Sequence, residues 1–154
     1  MSIQTDFTVE EWNTLLQAPG FAVLFIIQAD QSRREVAYQK MFAGIKAIIT
    51  PDKATAHSQL VQGVREAFIT GQRPCYPSAL PHDVPEARQI ALEGCRQAAI
   101  LLAQRVPDDE AECYNRWLLA LATFVGAAVT SPTAQVSAAL ATLAATLQSV
   151  EILA

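Results

Sequence analysis

Charge is scarce in this chain and unevenly spread. Only 17% of its 154 residues are Asp, Glu, Lys or Arg, and from Trp117 to Val150 there is none at all. The 11 basic residues are outnumbered by 15 acidic ones, for a net charge of −4, and the one adjacent basic pair, Arg33 and Arg34, is followed at once by Glu35. Phosphate backbones are bound by clustered positive charge, so a nucleic-acid partner is not expected. Cysteine is also sparse: Cys75, Cys95 and Cys113 contain no Cys-x-x-Cys pair and no regular framework, which argues against a disulfide scaffold or a zinc site and for a reducing, cytoplasmic setting. The longest apolar runs, Phe21 to Ile27 and Leu118 to Val129, fall short of the roughly 18 to 20 residues of a membrane span. The opening residues MSIQTDFTVEEW have neither the basic nor the apolar region of a secretory signal, and none is expected.

Catalytic groups are thin as well. There are two histidines, His57 and His82, and no serine sits in a Gly-x-Ser-x-Gly turn. Cys75 and His82 share one loop and form the single nucleophile and base pair the sequence suggests. Only that shared loop suggests the pair, so the chain is expected not to be an enzyme and to carry no cofactor. A lone histidine on a helix or in a loop is ordinarily a surface residue.

What the chain does have is hydrophobic periodicity. Half of it (51%) is hydrophobic, and 154 residues suffice for one core that buries roughly 70% of the unfolded surface. Apolar residues recur three and four apart, with Pro and Gly between the periodic stretches, which predicts an all-α, compact bundle of about seven helices. Thr8, Glu10 and Glu11 start the first, which Ala18-Pro19-Gly20 ends. Phe21 to Ile27 then forms a buried central helix, because no second strand-like run exists to pair with it. A third helix, about Arg33 to Ile49, has Val36, Ala37, Met41, Gly44, Ile45 and Ile48 or Ile49 as its inner stripe. A fourth, about Lys53 to Thr70, stops at Gly71. Residues 71–85 hold four prolines and form a long loop. Three more helices follow: from Pro85 to Val106, from Pro107 onward past Trp117, and from near Ser131-Pro132 to the end. The whole chain, 1–154, reads as a single helical domain whose halves, 1–70 and 84–154, are joined by the Pro-rich loop 71–83.

Asp30 follows an apolar helix and stands five residues before Glu35, a spacing that lets both acids face one cavity at a helix-to-helix turn. Hard divalent cations are held by oxygen ligands at such turns, so Asp30 and Glu35 are the candidate metal ligands. The bland alternative is that Asp30 caps the next helix while Glu35 is solvated. FTVEEWNTLLQAP and FAVLFIIQAD (within residues 7–30), PDDEAECYNRWLLALATFVGAAV (107–129) and VSAALATLAATL (136–147) resemble uncharacterised bacterial helical proteins similar to the TerB-like, tellurite-resistance-type fold. The resemblance implies two helical repeats, each with an Ala-Asp-Gly-x-hydrophobic motif and a later Glu linked to divalent cations, and a stress-associated role. Ala29, Asp30 and Glu35 match the motif, whereas Gln31 replaces its Gly and the second repeat, around Val129 to Ser137, carries no carboxylate.

The charge gap suggests another use. A helix exposed in a monomer carries charges outward, whereas Ser131, Thr133, Gln135, Ser137, Thr142, Thr146 and Gln148 offer only neutral groups. Interface cores are depleted in charge, so a homodimer through the uncharged C-terminal helices is one expectation, and simple Ala and Thr bias the other. Tyr76, Trp12 and Trp117 are read as packing residues rather than as partner anchors. The preferred expectation is a non-enzymatic helical scaffold or protein-interaction domain. The alternative is a small-ligand or divalent-cation module with a degenerate site at Asp30 and Glu35, covered by the 71–85 loop.

Overall fold

The computed structural model describes residues 6–30, 34–50, 52–72, 84–128 and 132–153. Regular structure among them is wholly helical: α1 (Val9–Asp30), α2 (Arg34–Ile49), α3 (Gln59–Ile69), α4 (Val84–Arg105), α5 (Asp108–Ala127) and α6 (Ala134–Leu153). The described residues thus form six helices instead of about seven, because the first two expected helices are one.

Proline at position 19 cannot donate to the Leu15 carbonyl four residues earlier, and an orphaned carbonyl in a core ordinarily breaks or bends a helix. Here α1 passes through Pro19. The buried Tyr114 hydroxyl on α5 donates to that same Leu15 oxygen at 2.6 Å. A side chain from far along the sequence replaces the bond that proline forfeits.

The start of α1 is set locally. The Glu11 backbone N–H donates to Thr8 Oγ1 (3.1 Å) and the Thr8 N–H donates to Glu11 Oε1 (2.8 Å), a reciprocal cap. Phe7, just before the cap, packs against Trp12 with ring centroids 6.1 Å apart, fixing the angle at which the chain enters the helix. Beyond this point α1 is the central rod. Leu15, Phe21, Ala22 and Ile26 are buried, and α2, α4, α5 and α6 all pack on it. Gly94 of α4 lets the backbone approach the Phe21 ring, where any Cβ would collide with the aromatic carbons. On the other side Gly44 of α2 does the same against Val23: a Cβ there would lie 2.7 Å from a valine methyl.

The third helix is shorter than its periodicity suggests, starting at Gln59 where Lys53 was expected. Asp52 Oδ1 accepts from the Thr55 N–H at 2.9 Å and holds residues 53–57 in a turn, and Ser58 caps the helix by accepting from the Val61 N–H at 3.1 Å. Glu110 of α5 reaches across to the same terminus, accepting from Ser58 Oγ (3.1 Å) and the Leu60 N–H (3.2 Å). At its far end Gly71 adopts φ 94°, and the N–H groups of Gly71 and Gln72 return to the carbonyls of Phe68 and Ala67. This is the left-handed terminus that glycine favours, and the helix stops there as the sequence suggests. Three acids in the first turn of α5 complement its dipole.

Candidate functional site

The acidic pair is placed as follows. Asp30 is the last residue of α1 and Glu35 the second of α2. Glu35 is exposed in the first turn of its helix, where a negative charge suits the dipole. The side chain of Asp30 and residues 31–33 between the helices lie outside the described residues, as do Cys75, Tyr76 and His82 of the Pro-rich loop. No group of three or more His, Cys, Asp or Glu side chains capable of holding a metal ion occurs among the described residues.

A cavity of about 330 Å³, mostly apolar in its lining, opens between the 52–57 turn and α5, where Asp52, His57, Asp109, Glu112, Cys113 and Arg116 contribute titratable groups beside Ala54, Trp117 and Ala120. Several titratable side chains converge on it, so its chemistry bears on whether the protein is a catalyst. Burial above all, helped by the charges of Glu110 and Asp52 and opposed by a hydrogen bond with Ser58, pushes the Cys113 thiol up. The protonated thiol is a poor nucleophile, because the reactive species is the thiolate. Cys95, sealed against α1, is raised further, to about 12, purely by burial. Arg116 is spent on Glu112, one helical turn away.

Behind the cavity wall Arg65 is buried to 1% exposure, donating from Nε to the Ile48 carbonyl (3.1 Å) and from Nη2 to Thr55 Oγ1 (3.4 Å). Its guanidinium lies over the Trp117 ring at 5.8 Å. Burial lowers its pKa and the nearby Asp52 partly offsets this. These bonds tie α3 to the end of α2 and to the 52–55 turn, a structural assignment for a charged residue inside the core. Trp12 and Trp117 are likewise buried, as packing residues are.

The least conventional element is α2. Its inward side consists of Ala37, Lys40, Gly44, Ala47 and Ile48, with Lys40 at 0% exposure. The Lys40 ammonium donates to the Gly126 carbonyl at 3.1 Å, within the last turn of α5, where backbone oxygens lack helical partners and the dipole favours a cation. The outward side carries Tyr38, Met41, Phe42, Ile45 and Ile49, all exposed, with Phe42 at 72%. The expected inner stripe is therefore corrected in part: Ala37, Gly44 and Ile48, the first of the two isoleucines offered for its end, lie inward, whereas Met41 and Ile45 face out. Both faces of α2 are largely apolar, so periodicity did not choose between them; small side chains able to approach α1 and α5 closely did. Phe124 of α5, next in sequence to the Val125 that packs on Gly44, is also exposed.

The uncharged α6 is less apolar on its outer side. Val136, Ala139, Leu143 and Leu147 point inward, and the exposed positions are Ala134, Gln135, Ser137, Ala138, Ala141, Thr142, Ala145 and Gln148. Thr142 and Thr146 donate to the carbonyls of Ala138 and Thr142 one turn back, which leaves few free polar groups outward. No helix among the described residues is long and apolar enough to cross a membrane. Comparison with protein-family models, with curated proteins and with solved structures finds no match for this chain.

Proposed function

We propose that this protein is a non-enzymatic helical interaction module that associates with a second copy of itself, with the outward face of α2 as the principal contact. The observation that carries the reading is the set of five large apolar side chains left open along one helix whose inward side accepts a lysine. A helix apolar all round belongs in a core, and α2 has a core on one side only. Large side chains bury roughly 150–250 Å² when fully covered, so the exposed fractions of these five residues amount to about 500 Å² per copy. That approaches the roughly 800 Å² per partner of a specific interface and reaches the upper end for a patch on a soluble monomer.

Charge favours this occupant over others. A helix that lies on a lipid surface sets Lys and Arg along its polar side, whereas Lys40 is committed to Gly126 and Lys46 is the exposed basic side chain described on α2. An acidic or basic partner finds little to pair with on the stripe. The non-catalytic part of the proposal is supported by the buried, protonated state of Cys95 and Cys113. The TerB-like resemblance is kept as a proposal about architecture.

Sedimentation at roughly 100 μM, where even a micromolar complex is almost fully formed, tests the reading. The expected species is a dimer, which Phe42→Glu converts to monomer at unchanged helix content while Thr142→Glu on α6 leaves it intact. Loss of the dimer in Thr142→Glu alone would move the contact to the C-terminal helices, and a monomeric parent chain would overturn the proposal.

A further inference from the structure

The outward side chains of α2 are spaced to match a particular partner. Tyr38, Phe42, Ile45 and Ile49 follow one another at intervals of four, three and four residues, a 3.5-residue seam of the kind that packs against another helix. The inward residues Lys40, Gly44 and Ala47 lie on the opposite side, so the seam and the core contact do not compete. Resting on the dimer reading above, we infer that α2 of one copy lies antiparallel on α2 of the other about a two-fold axis that passes between Phe42 and Ile45.

Three features fix the direction. In the antiparallel register each large ring meets a smaller aliphatic chain: Tyr38 opposes Ile49 of the partner subunit and Phe42 opposes Ile45 of the partner subunit, alternating volumes as packed layers require. The parallel register stacks Tyr38 on Tyr38 of the partner subunit and Phe42 on Phe42 of the partner subunit, while pairs of isoleucines leave the other layers thin. The helix dipoles also oppose each other only in the antiparallel arrangement. Finally, the flanking positions on one side of the seam are Gln39 and Lys46. Antiparallel pairing sets each Lys46 beside Gln39 of the partner subunit, an amide able to accept its hydrogen bond. Both copies use the same patch, as a closed two-fold contact demands.

Disulfide cross-linking reads the direction. Tyr38→Cys and Ile49→Cys are made separately in a Cys75→Ser background, mixed, and oxidised at the concentration where the parent chain is dimeric. A covalent dimer is expected in the mixture and not in either variant alone, since like positions lie roughly 16 Å apart along an antiparallel pair. Cross-linking of Tyr38→Cys with itself would establish the parallel register and overturn the inference while leaving the dimer standing; a monomeric parent chain would instead remove the reading beneath it. A spin label at Glu35→Cys, one turn before Tyr38 at the exposed start of α2, gives a second measure that does not depend on disulfide formation. A separation of roughly 25 Å or more is expected, and one below about 15 Å would contradict the antiparallel pair.

Discussion

Helices α1 and α2 are both rich in apolar side chains and have opposite fates. Each is apolar on nearly every side, each lacks a wide charged face, and each contains one residue that local rules would exclude: Pro19 within α1 and Lys40 on the buried side of α2. For α1 no side chain from Trp12 to Ala29 is left exposed, only one stripe through Asn13, Gln17 and Leu24 being half-buried, and Tyr114 supplies the hydrogen bond that Pro19 gives up. For α2 the cover extends over one side, and Lys40 supplies a bond that α5 needs at its terminus. The difference shows that a helix's hydrophobicity and its burial are separate properties. Burial depends on how many neighbours the topology provides, and where it provides too few, a second chain is the means of completing the cover.

The comparison is broken most sharply by truncating one isoleucine in each helix. Ile26→Ala, in the fully buried part of α1, is expected to cost about 3 to 4 kcal/mol in urea unfolding, the sum of lost transfer energy and a cavity. Ile45→Ala on the open side of α2, measured at concentrations too low for association, is expected to change stability by no more than about 0.5 kcal/mol. Equal losses would mean that α2 is covered within a single chain.

A smaller effect, about 2 kcal/mol, is expected for Tyr114→Phe, which strands the Leu15 carbonyl in the core. Pro19→Ala restores an N–H one turn away, so the double variant should recover much of that loss. Additive effects of the two substitutions would show that the hydroxyl does not compensate for the proline.

These residues also mark how far the sequence reaches. The all-helical class, the start at Thr8, the stop at Gly71 and the three-acid opening of α5 are legible because each depends on residues within about four positions of one another. The continuity of α1 is not legible, since Pro19 breaks a helix unless something 95 positions away in sequence, Tyr114, is known to lie beside it. The orientation of α2 is hidden for a related reason. Met41 and Ile45 outrank Gly44 and Lys40 on any hydrophobic scale, yet the close approach to Val23 and the open carbonyl of Gly126 select the smaller residue and the charged one for the inside. The cavity by the 52–57 turn was equally out of reach, because its residues come from two segments that periodicity leaves unconnected.

A more modest loss sharpens the account of Lys40. Lys40→Met keeps the length of the side chain and removes the donor to Gly126, and a loss of about 1 kcal/mol is expected. Faster amide exchange at Ala128, whose N–H donates to Val125 in the final turn of α5, would locate the loss there. Unchanged exchange would mean that the lysine is held by its methylenes and not by its charge.

The carboxylate that Glu110 places at the head of α3 sets a schedule for the growing polypeptide. The residue that secures Ser58 and Leu60 is made some fifty positions after them. A nascent chain that ends anywhere before α5 therefore holds its third rod without the clasp that seats it. The head of α3 is completed only when residues from both sides of the Pro-rich segment are present, and the last step of assembly is expected to be cooperative across both.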